Sequence, residues 1–237
     1  MGFFDSTDEK KALDEADKLF YTPEQKALLD NYFRNEGKKK GGCMGGKSKR
    51  ITDAEYYAKV MEKKAQFDPY NRALAYLGID EYSVREIPPV EFDGFLLSRE
   101  NPLDKPVMWG DSELYTNIYE STWFFFGDTQ FYVYRLVFDM LSGSVLDESR
   151  EMFYKDVTSF AVIDLSEEVN NLSVKSGGCM GGNKVTNSKS IKKFMRFRIV
   201  VPGERSGNMD YVMTANEGLS AKIHAMKQKL REKKNNG

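Results

Sequence analysis

At 237 residues and 41% hydrophobic, the chain has the length and apolar content to bury a core as one large domain or two small ones, which excludes a disordered polymer. No apolar run approaches the roughly 20 residues that cross a bilayer, and the N-terminus lacks the basic start and apolar stretch of a secretory signal, so a cytoplasmic location is expected. The 2 cysteines are too few for a disulfide scaffold, and the formal charge of -1 hides 14 acidic against 5 basic residues over 90–165 and 14 basic against 6 acidic over 166–237.

The opening Met1-Gly2-Phe3-Phe4-Asp5-Ser6 fits the short pattern for acylation of Gly2, and equally a plain apolar N-terminal anchor. Ser6 with Glu9 forms a capping box ahead of a stripe of Ala12, Leu13, Ala16, Leu19 and Phe20. Thr22 with Gln25 is a second box, with Pro23 at the first helical position and Gly37 as the expected stop. Thr52 with Glu55 opens a third helix, Asp68-Pro69 breaks it and begins a fourth, and Gly78 caps that one. Residues 1–88 therefore read as a small helical region, closed by Ile87-Pro88-Pro89.

From Tyr115 to Leu165, aromatic and β-branched residues crowd between turn signals, and this stretch is expected to form the centre of the core. Trp123 to Phe126, the turn Gly127-Asp128-Thr129 and Gln130 to Phe138 read as a hairpin whose return strand carries bulk on both faces. Glu91 to Ser98 reads as an extended segment and Asn101 to Pro106 as a loop. Ser142-Gly143-Ser144 supplies the next turn, and strands are predicted over Asp147–Tyr154 and Val157–Leu165. Residues 166–190, rich in Asn, Ser, Gly and Lys, read as a long loop. Strands over Lys192–Val201 and Met209–Thr214 follow, and a final capping box, Thr214 with Glu217, starts a helix with Leu219, Ile223, Met226 and Leu230 on one face.

Several antiparallel strands closed by one amphipathic helix give an α+β plan, and the chain resembles the bacterial pleckstrin-homology-like (GRAM-like) domains. The residues that carry the likeness are the hairpin Trp123 to Phe138, the segment Met152 to Phe160, and the strand plus helix from Tyr211 to Leu230. The resemblance covers roughly 90–237 and implies a bent antiparallel sheet or barrel capped by a C-terminal helix, with the helical region 1–88 in front. It implies a binding or scaffolding module. Lipid-binding members place Lys and Arg in the first hairpin, where this chain has Gly127-Asp128-Thr129, so inositol phosphate recognition is not implied.

The hexapeptide Gly41-Gly42-Cys43-Met44-Gly45-Gly46 recurs letter for letter at 177–182 and holds both cysteines. Lys38, Lys39, Lys40, Lys47, Lys49 and Arg50 surround the first copy, while Lys175 and Lys184 flank the second; nearby positive charge raises a thiolate fraction. Cys43, Met44, Cys179 and Met180 are thus candidates for a shared protein contact, a redox or acylation pair, or a soft-metal site suited to Cu(I). His224, the single histidine, reads as a surface side chain of the last helix. Serine hydrolase, kinase and dinucleotide-binding readings lack their parts, and the carboxylate pair Asp147-Glu148 reads as solvated.

Lys192, Arg196 and Arg198 share a strand face that could meet phosphates, but only Phe194 is interleaved with them, so nucleic acid is not expected. The acidic and basic stretches either neutralise each other across one sheet or form opposed faces that steer a partner. The expected function is a non-enzymatic cytoplasmic module, without a cofactor, that binds another protein or a second copy of itself. A peripheral contact of loop 38–50 with an anionic membrane, and a thiol redox or soft-metal protein, are the alternatives.

Overall fold

The computed structural model describes residues 20–34, 50–84, 88–96, 102–111, 115–175, 184–200, 208–214, 224–228 and 230–233. Two compact units divide the chain, Met1–Glu151 and Met152–Gly237. The fold is mixed α and β, and the described helices that precede the sheet lie in the first unit together with most of its strands. No described helix is long and apolar enough to cross a membrane.

The first unit opens with α1 (Pro23–Leu28). Its start is dictated locally: Gln25 N donates to Thr22 Oγ1 at 3.2 Å and Thr22 N donates to Gln25 Oε1 at 2.8 Å, satisfying two amides that the first turn leaves free. A wider π turn, Leu29–Phe33, continues it, closed by Arg34 N donating to Leu29 O at 2.8 Å. Leu28, Leu29, Tyr32 and Phe33 are all buried there. The expected stop at Gly37 and the expected helix from Ser6 lie outside the described residues.

The reciprocal Thr52–Glu55 box starts α2 (Asp53–Phe67). Pro69 disfavours the right-handed helical conformation at the residue before it, and Asp68 adopts φ 46. The chain turns there into α3 (Pro69–Leu77), which Gly78 ends at φ 63.

The sheet of this unit is antiparallel, in the order β1 (Val90–Phe95), β2 (Ile118–Phe126), β3 (Gln130–Asp139), β4 (Val145–Phe153). β2 and β3 form the expected hairpin, with Phe126 opposite Phe131, Trp123 opposite Tyr134 and Gly127 N donating to Gln130 O at 2.9 Å. Both faces of β3 are buried, Phe131, Val133 and Val137 on one and Tyr134, Leu136 and Phe138 on the other. The second set packs with Tyr119 and Phe125 against Leu29, Tyr32, Tyr56, Val60 and Ala73 from the helices. At roughly 1.5–3 kcal/mol per large apolar side chain, this layer is the main stabilising feature of the unit.

In the second unit, β5 (Ser159–Lys175), β6 (Lys184–Val200) and β7 (Asn208–Thr214) form an antiparallel sheet in that order. A helical segment over 224–228 and 230–233 buries Met226 and Leu230, one turn apart on its predicted apolar face, and exposes His224. The long loop expected over 166–190 is corrected here. Residues 166–175 and 184–190 belong to β5 and β6, paired without a break from Ser166 opposite Lys193 to Lys175 opposite Lys184. Asn and Ser content suggested a loop because it promises little apolar burial, whereas a ribbon is held by its backbone ladder and accepts polar side chains. Val169, Val174, Val185, Thr186 and Ile191 supply the β-branched positions.

Candidate functional site

The polar chemistry of the first unit gathers where the helices meet the sheet. Tyr56 is fully buried; its hydroxyl donates to Thr116 O at 2.6 Å, and its ring stacks on Tyr32 at 4.4 Å and meets Phe33 edge-on at 5.3 Å. Tyr32 in turn donates to Asp53 Oδ1 at 2.7 Å. Burial first, and the neighbouring carboxylate second, push the Tyr32 hydroxyl far above the usual tyrosine range. Burial does the same to Tyr56. Neither hydroxyl is an acid at ordinary pH; both serve as fixed donors. Gly110 runs so close to the Tyr32 ring that a Cβ there would overlap it.

Two ionic pins cross from helix to strand. Lys64 of α2 donates to Asp93 Oδ2 at 2.6 Å and pairs with Glu91 at 2.7 Å, while Tyr119 also donates to Asp93, at 2.7 Å. Burial pulls the Lys64 ammonium down, but its bonds to Asp93 and Glu91 outweigh that and leave it raised. Arg72 of α3 grips Asp147 of β4 with two bonds, from Nε at 2.7 Å and Nη2 at 2.6 Å, and the Tyr134 hydroxyl donates to the same carboxylate. The guanidinium holds Asp147 below the ordinary carboxylate range against the opposing effect of burial.

On the sheet, Arg135 joins Glu120 at 2.7 Å and Glu148 at 3.4 Å, and Arg150 reaches Glu148 at 2.6 Å. Burial raises Glu148, yet its bond from Arg150 brings it below the usual value. The expectation that Asp147 and Glu148 are solvated is therefore corrected: both are partly covered and ion-paired, Asp147 by Arg72 from a distant helix and Glu148 by Arg135 and Arg150 of its own sheet. These carboxylates act as tethers. No group of three or more His, Cys, Asp and Glu among the described residues is placed to hold a metal ion.

Of the sites singled out from sequence, Cys43, Met44, Cys179, Met180, Lys38, Lys39, Lys40, Lys47 and Lys49 lie outside the described residues. Arg50 is described and pairs with Asp111. Beside it, Ile51 N donates to Asn31 O at 3.4 Å, so the residues that bracket 35–49 are held together. Lys192, Arg196 and Arg198 occupy register positions of one face of β6, with Glu167 at the position opposite Lys192 and Asp210 at the position opposite Arg198.

Sequence reasoning missed the two pins. A lysine on one helix and an arginine on the next carry no local signature of a carboxylate 27 or 75 residues away. Tyr57, Tyr76, Tyr82 and Trp109 are exposed on the same unit. No family model matches the chain, and no curated protein or solved structure matches it either.

Proposed function

We propose that the chain is a non-enzymatic cytoplasmic binding module that engages another protein through the sheet of its second unit, on a pleckstrin-homology-like plan. Four antiparallel strands followed by three more and a terminal helix support that plan. The observation that carries the binding role is β5: it lies at the end of its sheet, 17 residues long, with β6 along one edge and no strand along the other among the described residues. An unpaired edge offers a row of N–H and C=O groups to an incoming strand, and strand addition is a recurring mode of protein recognition.

A photo-crosslinking residue at position 170, in the cells from which the chain derives, tests the reading. Discrete adducts with protein support it; their absence, with flotation of the purified protein on anionic vesicles, overturns it in favour of membrane attachment. The membrane reading has its own support in the contact of Asn31 with Ile51, which brackets the run of cations from Lys38 to Lys49 beside the tethered Arg50. Salt separates the two, since binding through such cations weakens steeply as salt rises.

A further inference from the structure

We infer that β5 pairs with β5 of a second copy of this chain, edge to edge and antiparallel, with Asn171 of each copy on the two-fold axis. The inference rests on the reading of the chain as a protein-binding module and names its partner. β7 covers only the stretch of β6 from Phe194 to Val200. Beyond that, from Ser166 opposite Lys193 to Lys175 opposite Lys184, the described sheet has two strands. A two-stranded ribbon is marginal in water, and pairing two copies along β5 converts this half into four strands in the order β6, β5, β5, β6.

Charge selects the register. In a two-fold antiparallel pair, residues that face each other share a face of the sheet, so their numbers must differ by an even amount. With Asn171 on the axis, Glu167 stands opposite Lys175 of the partner at both ends of the overlap, Val169 opposite Ser173, and Asn170 opposite Leu172. The arrangement also answers a defect within one copy. Lys175 and Lys184 occupy directly opposite register positions, where like charges are unfavourable, and the proposed register sets the partner's Glu167 position opposite Lys175. The same stretch of β6 carries Lys184, Lys189, Lys192 and Lys193 without an acid, so two copies brought together along β6 would repel. β5 is the self-complementary edge.

Sedimentation of the full chain tests the pairing. The wild type is expected to form dimers; Glu167→Lys alone and Lys175→Glu alone each place like charges at both ends and weaken the dimer by at least about tenfold. Mixed, those two variants restore both opposite-charge pairs and should form a heterodimer. A wild type that stays monomeric, or reversals that leave dimerisation unchanged, overturns the inference.

A covalent trap guards against a variant that fails to fold. In a background of Cys43→Ser and Cys179→Ser, Asn171→Cys places two thiols directly across the axis, within disulfide range, and should oxidise to a dimer. Ser173→Cys leaves its two thiols about 13 Å apart along the strands and should not. Equal crosslinking at both positions, or none at 171, overturns the register. A protein adduct at position 170 from a different partner, with a purified chain that is monomeric, would remove this pairing and leave the binding role standing.

Discussion

Replacing Tyr56 by Phe isolates one hydrogen bond in the layer between helices and sheet. The ring stays, with its stack on Tyr32 and its edge contacts, and only the hydroxyl that donates to Thr116 O at 2.6 Å is lost. The acceptor is a buried backbone carbonyl, and the site is too closed for water to replace the donor, since Tyr56 and Thr116 both have 0% exposure. Leaving such a group unsatisfied costs about 1–3 kcal/mol. Removing the ring as well, in Tyr56→Ala, adds a cavity and brings the loss to about 3–5 kcal/mol, the range for deleting a buried aromatic side chain. At about 2 kcal/mol, the Phe variant should lower the Tm of this unit by about 4–8 °C. Tryptophan fluorescence during urea unfolding follows it cleanly, because Trp109 and Trp123 are the 2 tryptophans of the chain and both belong to Met1–Glu151. A Phe variant as stable as the wild type, or one as weak as the Ala variant, would refute the assignment of the hydroxyl as a structural donor.

The two pins give separate expectations. Lys64→Met removes the cation between Glu91 and Asp93 and should destabilise by about 2–4 kcal/mol, of which a further Asp93→Asn change recovers part because it discharges one of the stranded carboxylates; a second change that only adds to the loss would show that the pair is not coupled. Asp147 has a folded pKa lowered by Arg72, so the unfolded chain binds its proton first and the contribution of the carboxylate is present above the ordinary value of 3.8 and lost as pH falls through the lower folded value. Asp147→Asn should therefore flatten the fall in stability between about pH 5 and 3, read by the same fluorescence; an unchanged slope would sink the idea.

Much of the local architecture was legible because its causes are local. Thr22 and Thr52 each carry their capping partner three residues on, Asp68 is forced by the proline beside it, and Gly127-Asp128-Thr129 separates two aromatic runs at hairpin distance. The ribbon escaped because its stabilising bonds are on the backbone, which composition does not report. The ion pairs made by acids of the stretch 90–165 escaped for a different reason. Strands of opposite charge seemed the natural partners, yet Asp93 and Asp147 are answered by Lys64 and Arg72 of the helices, and Glu120 and Glu148 by Arg135 and Arg150 of their own sheet. The pairs made by Lys64 and Arg72 depend on the packing of α2 and α3 over the sheet, which amphipathic spacing sets only in outline.

The second sheet carries a charge pattern of its own. Its ladder sets Glu167 opposite Lys192 and Asp210 opposite Arg198, close to where three strands overlap. Toward the far end, Lys175 faces Lys184, and the only acids on β5 beyond Leu165 are Glu167 and Glu168. Edge strands commonly carry charges that block indiscriminate pairing. The charges on β5 set like against like when Glu167, Glu168 or Lys175 lies on the axis, and they favour one register: the one that brings Glu167 of one copy to Lys175 of the next.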